Sequence, residues 1–244
     1  SCEASNEDRW GKTAHPEYNS DYVIKYHYEP TYPHCRKPGM IDLSKTDKKT
    51  DNEYFPPLKE PNIMTYLAKD WVAPQTSYKD AMIESMTHLG KLGAIFIGYN
   101  VKYGNAIGTL KNVPDDQKLE TPVAENLMAG LAIGMSFEGF LPVLYYERHD
   151  FMMVAADAII NHIDKIERIS HGEFKCPIII RAVTADAGPF YSGITHSQDF
   201  TEVFRRAVSF PVLDPVNGAG VTSCLLAARR SGKPCMIIER KSRY

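Results

Sequence analysis

The chain has 244 residues, of which 43% are hydrophobic and 24% charged, and its formal net charge at pH 7 is −2. This length allows one large domain or two small ones, with enough apolar residues for a sizeable core. The near-neutral charge offers no field for nucleic acid or an anionic membrane, and no apolar run reaches transmembrane length. The cysteines are odd in number and lack CxxC spacing, which predicts reduced thiols, no metal site and a cytoplasmic location.

Residues 1–72 are predicted to form an irregular N-terminal extension. They are rich in Tyr, Pro, Asp and Lys, show no sustained periodicity, and carry prolines that forbid long helices. Such a segment has too few periodic apolar positions for its own core. We expect it to dock onto a partner subunit, although wrapping around its own domain is nearly as compatible with the sequence. A second, regular domain is predicted at 73–244.

From residue 75 the pattern alternates between helices and buried strands. Ser77 and Asp80 form a capping signal for an amphipathic helix that ends at Gly90, and 94–97 is typical of a buried strand. Further strands are predicted at 141–146, 177–183, 211–213 and 235–238, with helices at 122–138, 150–169, 199–207 and 217–231. Strands that are apolar on both faces and alternate with helices predict an α/β fold, a parallel sheet sandwiched by helices.

The helix predicted at 122–138 carries the first candidate functional residue. Thr121 suits the N-cap and Pro122 the first helical position. The stretch 127–137 is apolar on nearly every face, which predicts a buried helix. Its first turn has a single carboxylate, Glu125, which must find a partner or take up a proton if it is buried. A neutral carboxylic acid is a useful donor in catalysis, but a solvent-facing Glu125 that favours the helix dipole fits the pattern equally well.

The segment 184–197 supplies the second candidate. It follows a predicted buried strand, contains Gly188, Gly193 and His196, and is too long for a plain connector. Ligands of open α/β sheets bind at the carboxyl ends of the strands. A lone loop histidine is more often solvated than catalytic, so this position alone does not assign a role to His196.

Four segments in order carry a resemblance to a known family: 120–134, 150–161, 177–181 and 193–198. Together they resemble the pyrimidine-binding domain of transketolase-like thiamine diphosphate enzymes, in particular the beta subunit of the decarboxylating component of 2-oxo acid dehydrogenases (pyruvate dehydrogenase type). The resemblance implies thiamine diphosphate and Mg²⁺ as cofactors. Nothing in the chain resembles the GDG-plus-Asn motif that holds the metal and the diphosphate. A companion subunit in a hetero-oligomer is therefore expected to supply that half.

The resemblance also implies roles for individual residues. Glu125 matches the glutamate that activates the cofactor by hydrogen-bonding its aminopyrimidine ring. Phe151 matches an aromatic residue that stacks on this ring, and Val123 is expected to touch the same ring. His196 matches an active-site histidine suited to proton handling. Tyr99 is a departure, because many members of the family have a glutamate near this position.

These observations predict the pyrimidine-domain subunit of a two-component enzyme that decarboxylates a 2-oxo acid and passes on the resulting acyl unit. One alternative is a split transketolase-like subunit that transfers two carbons from a ketose. Another is a non-catalytic assembly subunit that keeps the fold. Glu125 and His196 argue against the last reading, whereas Tyr99 argues for it. A companion protein with a GDG motif would discriminate between them.

Overall fold

The computed structural model describes residues 76–187 and 193–244, which lie within one compact unit. The N-terminal extension predicted at 1–72 lies outside the described residues, as does Gly188. Within the described part, no helix combines the length and apolar character needed to span a membrane.

Six parallel strands form one sheet in the described part of the chain. They are β1 Ala94–Gly98, β2 Lys118–Glu120, β3 Leu141–Tyr146, β4 Ile179–Thr184, β5 Val212–Leu213 and β6 Cys235–Arg240. Their order is β2-β1-β3-β4-β6-β5, and every neighbouring pair is parallel. Because the strands are parallel, all their carboxyl ends lie at the same edge of the sheet.

The helices alternate with these strands along the chain. They are α1 Tyr78–Lys91, α2 Glu125–Phe137, α3 His149–Met152, α4 Ile166–Ile169, α5 Thr201–Ala207 and α6 Gly218–Ser231. Short 3₁₀ turns occur at Asp115–Gln117, Met153–Ala155 and Lys241–Arg243, and a π-helical segment occurs at Ala158–Ile163. A further short turn, Asn105–Gly108, has positive φ angles at all four residues.

Two apolar clusters show that helices cover both faces of the sheet. On one face, α1 and α6 pack through residues such as Met82 and Leu225. On the other face, α2, α3 and α5 pack through Met128, Met152 and Phe204. The predicted α/β fold with a parallel sheet sandwiched by helices is therefore confirmed. Helices α2 and α3 share one face, which matters for the site described below.

The start of α2 differs from the prediction. The helix begins at Glu125, with Ala124 as its flanking residue and no side-chain cap, so Thr121 and Pro122 are not its N-cap and first residue. The backbone N–H of Thr121 instead donates to the carbonyl of Gly98 at 3.0 Å. This long-range hydrogen bond carries the chain past the end of β1 before the helix can start.

The prediction that α2 is buried on all sides is also wrong. Met128, Ala129 and Ala132 are buried against the sheet, but Leu127 and Leu131 are exposed. Apolar residues therefore occupy two faces of this helix, and only one of these faces packs against other elements within the described part of the chain.

The single helix predicted at 150–169 is interrupted in the structure. It divides into α3, a 3₁₀ turn, the π-helical segment and α4. Helix α3 begins one residue before the predicted start, at His149, and the Asp150 carboxylate accepts a hydrogen bond from the side-chain amide of Gln198. Near the end of the π-helical segment, the Asp164 carboxylate accepts hydrogen bonds from the backbone N–H and the hydroxyl of Ser209, both at 2.7 Å.

Candidate active site

The strand order creates a crevice at the carboxyl ends of β1 and β3. The chain passes from β1 to β2 on one side and then returns to β3 on the other side of β1. Such a reversal leaves an opening where ligands of open α/β sheets bind. Glu125 lies in the segment that returns from β2, and α3 follows directly after β3. The topology therefore brings the first turns of α2 and α3 to this crevice.

Glu125 is buried at the first turn of α2, with 7% of its surface exposed. Its backbone carbonyl accepts a hydrogen bond from the Tyr146 hydroxyl at 3.3 Å. Among the residues that the structure describes, no side chain or backbone group bonds to its carboxylate. Burial raises the pKa of Tyr146, and the charge of Glu125 raises it further, so the phenol stays a donor. The helix start is thus fixed, while the carboxylate remains unpaired within the described part of the chain.

Phe151 and His196 are in direct contact. Their ring centroids are 5.2 Å apart at an interplanar angle of 84°, an edge-to-face arrangement. Both residues are partly exposed. The Nδ1 atom of His196 lies 3.0 Å from the hydroxyl of Thr195, with donor and acceptor roles that depend on the tautomer. The structure therefore places an imidazole beside the Phe151 ring, on the α3 side of the crevice.

Val123 and Glu125 are less closely connected to this pair. Val123 precedes α2 and is 64% exposed. The described contacts do not join Glu125 directly to Phe151 or His196, although α2 packs against α3. The carboxylate, the aromatic ring and the imidazole accordingly share one face and one edge of the sheet.

The sequence alone assigned no role to the residues at the junction of β3 and α3. His149 is completely buried there, and its Nδ1 atom accepts a hydrogen bond from the backbone N–H of Phe200 at 3.0 Å. Burial lowers the pKa of His149, although the nearby Asp199 opposes this effect. Arg148 donates to the carbonyl of Glu147 at 2.7 Å, and its buried Nε has no partner among the described residues.

Polar residues at the carboxyl edge of the sheet form further contacts. The Glu120 carboxylate accepts from the backbone N–H groups of Asn100 and Lys102, at 2.6 and 2.7 Å, and so holds the loop after β1. At the end of β6, Arg240 bridges Asp199 and Asp214 at 2.7 and 2.9 Å. In the described residues, His, Cys, Asp and Glu side chains do not gather into a group that could hold a metal ion.

Comparisons with known proteins identify the family and the fold. Residues 72–244 match the family profile described as transketolase, pyrimidine binding domain. The chain is 28% identical over 176 residues to the pyruvate dehydrogenase E1 component subunit beta of Rickettsia felis, covering 71% of this chain and 53% of that protein. It is 28% identical over 137 residues to the 2-oxoisovalerate dehydrogenase subunit beta of Bacillus subtilis, covering 56% of this chain and 41% of that protein.

A solved structure shows the same fold. The chain described as split gene transketolase, inactive beta4 tetramer, superimposes with a TM-score of 0.54 at 17% identity, covering 69% of this chain and 52% of that one. The present chain spans about half the length of the curated relatives above.

Proposed function

Because the chain belongs to the family of transketolase pyrimidine-binding domains, we propose that it is the pyrimidine-binding subunit of a two-component thiamine diphosphate enzyme acting on a 2-oxo acid. The observation that carries this proposal is Glu125, a largely buried residue at the crevice between β1 and β3 whose carboxylate has no partner among the described residues. A carboxylate that is partly removed from water gains from a ligand that forms hydrogen bonds with it. The aminopyrimidine ring offers the nitrogen atoms that would do so.

The residues at the crevice fit the pyrimidine half of the cofactor. When bound, thiamine diphosphate supplies the nucleophile and the electron sink for breaking a carbon–carbon bond beside a carbonyl. The Glu125 carboxyl group would hydrogen-bond a ring nitrogen. Phe151 would stack on the ring, and Val123 would contact it from the start of α2. His196 would hold a proton near the substrate carboxylate, a role suited to imidazole at neutral pH.

The exposed side of α2 supports a companion subunit. Leu127, Gly130, Leu131, Gly134 and Phe137, here called the α2 stripe, are exposed along one side of the helix. A Cβ atom added at either glycine would meet nothing within 4 Å. Small residues within an apolar stripe allow another element to approach closely. Because the stripe begins one turn from Val123, a subunit that covers it would also reach the crevice.

The substrate class follows from the relatives and remains open to direct test. Two of the curated relatives are named as beta subunits of pyruvate and 2-oxoisovalerate dehydrogenases. We therefore assign decarboxylation of a 2-oxo acid, with Mg²⁺ and the diphosphate held by the companion. Two-carbon transfer from a ketose is the alternative reaction, and a non-catalytic assembly subunit is the alternative role.

The decisive experiment compares two glutamates at opposite ends of α2. The chain is coexpressed with the polypeptide that carries the diphosphate-binding domain, and CO₂ release from 2-oxo acids is measured. Glu125→Gln keeps the shape of the side chain and should lower kcat by about 10²–10⁴-fold. Glu138→Gln is the control, because Glu138 is exposed at the far end of the same helix.

Each outcome discriminates between the candidate roles. Near-normal turnover by Glu125→Gln would remove Glu125 from the reaction. Transfer of a two-carbon unit from a ketose without CO₂ release would identify the transketolase-like reaction. A stable complex that binds thiamine diphosphate and turns over neither substrate would identify an assembly subunit.

A further inference from the structure

The first turn of α3 is joined to the segment 198–200 by hydrogen bonds between residues far apart in sequence. His149 Nδ1 accepts from the backbone N–H of Phe200 at 3.0 Å. One residue later, the Asp150 carboxylate accepts twice from Gln198: from the side-chain amide at 2.7 Å and from the backbone N–H at 3.3 Å. Asp150 therefore fixes both the main chain and the side chain of Gln198.

The edge-to-face contact between Phe151 and His196 continues this series. Residue numbers rise along α3 as they fall along the other segment, so 149 meets 200, 150 meets 198 and 151 meets 196. The start of α3, which follows β3, is thereby connected to the segment that precedes α5. Asp150 occupies the middle of the series. Of the three contacts, only the one made by Asp150 has a carboxylate as its acceptor, and hydrogen bonds to carboxylates are among the stronger ones.

His196 has little else to hold it. Among the described residues, its ring has one further partner, the hydroxyl of the adjacent Thr195. Its backbone N–H donates to the carbonyl of Gly193 at 3.1 Å, within the same turn. Both contacts are local and do not fix the turn relative to α3. Among the described residues that follow His196, Gln198 is the nearest that forms hydrogen bonds with other elements. Its backbone N–H and side-chain amide donate to Asp150, and its carbonyl accepts from the Thr184 hydroxyl at 3.3 Å.

We propose that Asp150 is a positioning residue that holds His196 against Phe151 through Gln198. Asp150 precedes Phe151 on α3, so one short helix places the ring and aligns the imidazole with it. The catalytic meaning of this arrangement rests on the proposed function, whereas the structural linkage does not. A misplacement of about 1 Å can cost on the order of 10²-fold in rate, so loss of Asp150 should act on turnover more than on binding.

The structural part is tested by NMR on the 244-residue chain without any ligand. In the wild type, the Phe151 ring current should displace the His196 ring protons from their random-coil shifts. Asp150→Ala removes both bonds to Gln198 and should move these signals most of the way to random-coil values. Asp150→Asn keeps one carbonyl acceptor for the Gln198 amide and should give an intermediate shift. Hydrogen exchange of the Gln198 N–H should accelerate at least about tenfold in Asp150→Ala.

Asp157 provides a matched control. It also accepts from a side-chain amide, that of Asn161, at 2.8 Å on the exposed side of the same helical region. Asp157→Ala should leave the His196 signals unchanged. If Asp150→Ala does not fold, Gln198→Ala decides the question, because it removes only the 2.7 Å bond from an exposed residue. The proposal is overturned if the His196 ring protons of a folded Asp150→Ala keep their wild-type chemical shifts. If Asp150→Ala does not fold, the same result in Gln198→Ala overturns it.

The catalytic part is tested in the complex with the companion subunit. Asp150→Ala should lower kcat by about 10–10²-fold and leave the affinity for thiamine diphosphate within twofold, with partial rescue by Asp150→Asn. Unchanged kcat together with displaced His196 signals would refute the catalytic role of the linkage. Failure of the proposed function would give a different result. The complex would then bind no thiamine diphosphate, while Asp150→Ala would still displace the His196 signals of the chain without ligand.

Discussion

The hydroxyl of Tyr146, at the end of β3, donates a hydrogen bond to the backbone carbonyl of Glu125 at 3.3 Å. This bond ties the central sheet to the first turn of α2. It joins two residues that are 21 positions apart, and it constrains the main chain of Glu125 without engaging its carboxylate. The main chain at Glu125 is thus held in place, and its carboxylate is left available for a ligand.

Removal of this hydroxyl should loosen the helix start with little effect on the core. Tyr146→Phe keeps the buried ring, so the free energy of unfolding should fall by about 1 kcal/mol, the net value of one hydrogen bond. Urea denaturation monitored by circular dichroism measures this change. Tyr103→Phe is the control, because Tyr103 is 82% exposed. Equal stability of the wild type and Tyr146→Phe would show that the bond does not stabilise α2.

Local sequence signals predicted most of the sheet. The strands at 141–146 and near 94–97 and 179–184 are runs of apolar, largely β-branched or aromatic residues, and their positions agree with the structure. The cap of α1 is confirmed too, since the Ser77 hydroxyl accepts from the backbone N–H of Asp80 at 3.1 Å. These features depend on neighbours in sequence, which is why a single sequence suffices to predict them.

Long-range contacts account for what the sequence did not reveal. β2 is three residues long and has charged residues at both ends, so it lacks the apolar pattern of a buried strand. Its pairing with β1 makes it a strand. Likewise, the bond between Asp150 and Gln198 spans 48 positions. Local pattern made Glu125 and His196 candidates, and a resemblance added Phe151 and Val123. The support of these residues by Tyr146 and Asp150 became visible only in three dimensions.

Acidification should destabilise the domain through His149. Burial lowers the pKa of this residue from 6.5, with opposition from Asp199, Asp150 and the Ala182 backbone and with reinforcement from Arg240. The unfolded chain then binds a proton more readily than the folded one, so stability is fully present above about pH 6.5 and is lost as the pH falls below it. Protonation at Nδ1 would also remove the acceptor used by Phe200.

The measurement is the free energy of unfolding between pH 7.5 and 5 for the wild type and His149→Gln. The glutamine variant should be less stable overall, but its stability should vary less with pH in this window. Asp199 acts in a separate window: burial opposes its ionisation, but hydrogen bonds from Thr201 and Arg240 lower its pKa to about 2. Its contribution to stability is therefore lost only as the pH falls below about 4. Identical pH slopes for both proteins between pH 7.5 and 5 would contradict the assignment to His149.

The buried pair Arg181–Glu239 should be costly to break from one side. Arg181 Nε and Nη2 donate to the two carboxylate oxygens of Glu239 at 2.5 and 2.9 Å, and both side chains are completely buried. Burial alone would lower the pKa of Arg181, but the charge and hydrogen bonds of Glu239 raise it overall. Arg181→Met leaves an uncompensated buried carboxylate and should cost about 3–5 kcal/mol.

The double variant Arg181→Met, Glu239→Leu should recover part of this loss, because it removes both buried charges. Arg205→Met is the control, since Arg205 pairs with Glu202 on the surface, where such a pair contributes about 0–1 kcal/mol. Thermal or urea unfolding gives all three values. A loss for Arg181→Met no larger than that for Arg205→Met would show that the pair does not stabilise the sheet.

The α2 stripe should be required for assembly but not for folding. Leu127 is 59% exposed in the isolated chain, so Leu127→Arg adds a charge at little cost to the folded domain. Once a companion covers the stripe, that charge would be buried without a partner, which opposes binding. We expect Leu127→Arg to weaken association with the companion at least about 10²-fold, measured by calorimetry or analytical ultracentrifugation, with an unchanged unfolding midpoint.

Val216→Arg is the control, because Val216 is 69% exposed and lies outside the stripe. Normal assembly by Leu127→Arg would place the companion on another surface, and a loss of assembly shared by Val216→Arg would point to general effects of added charge.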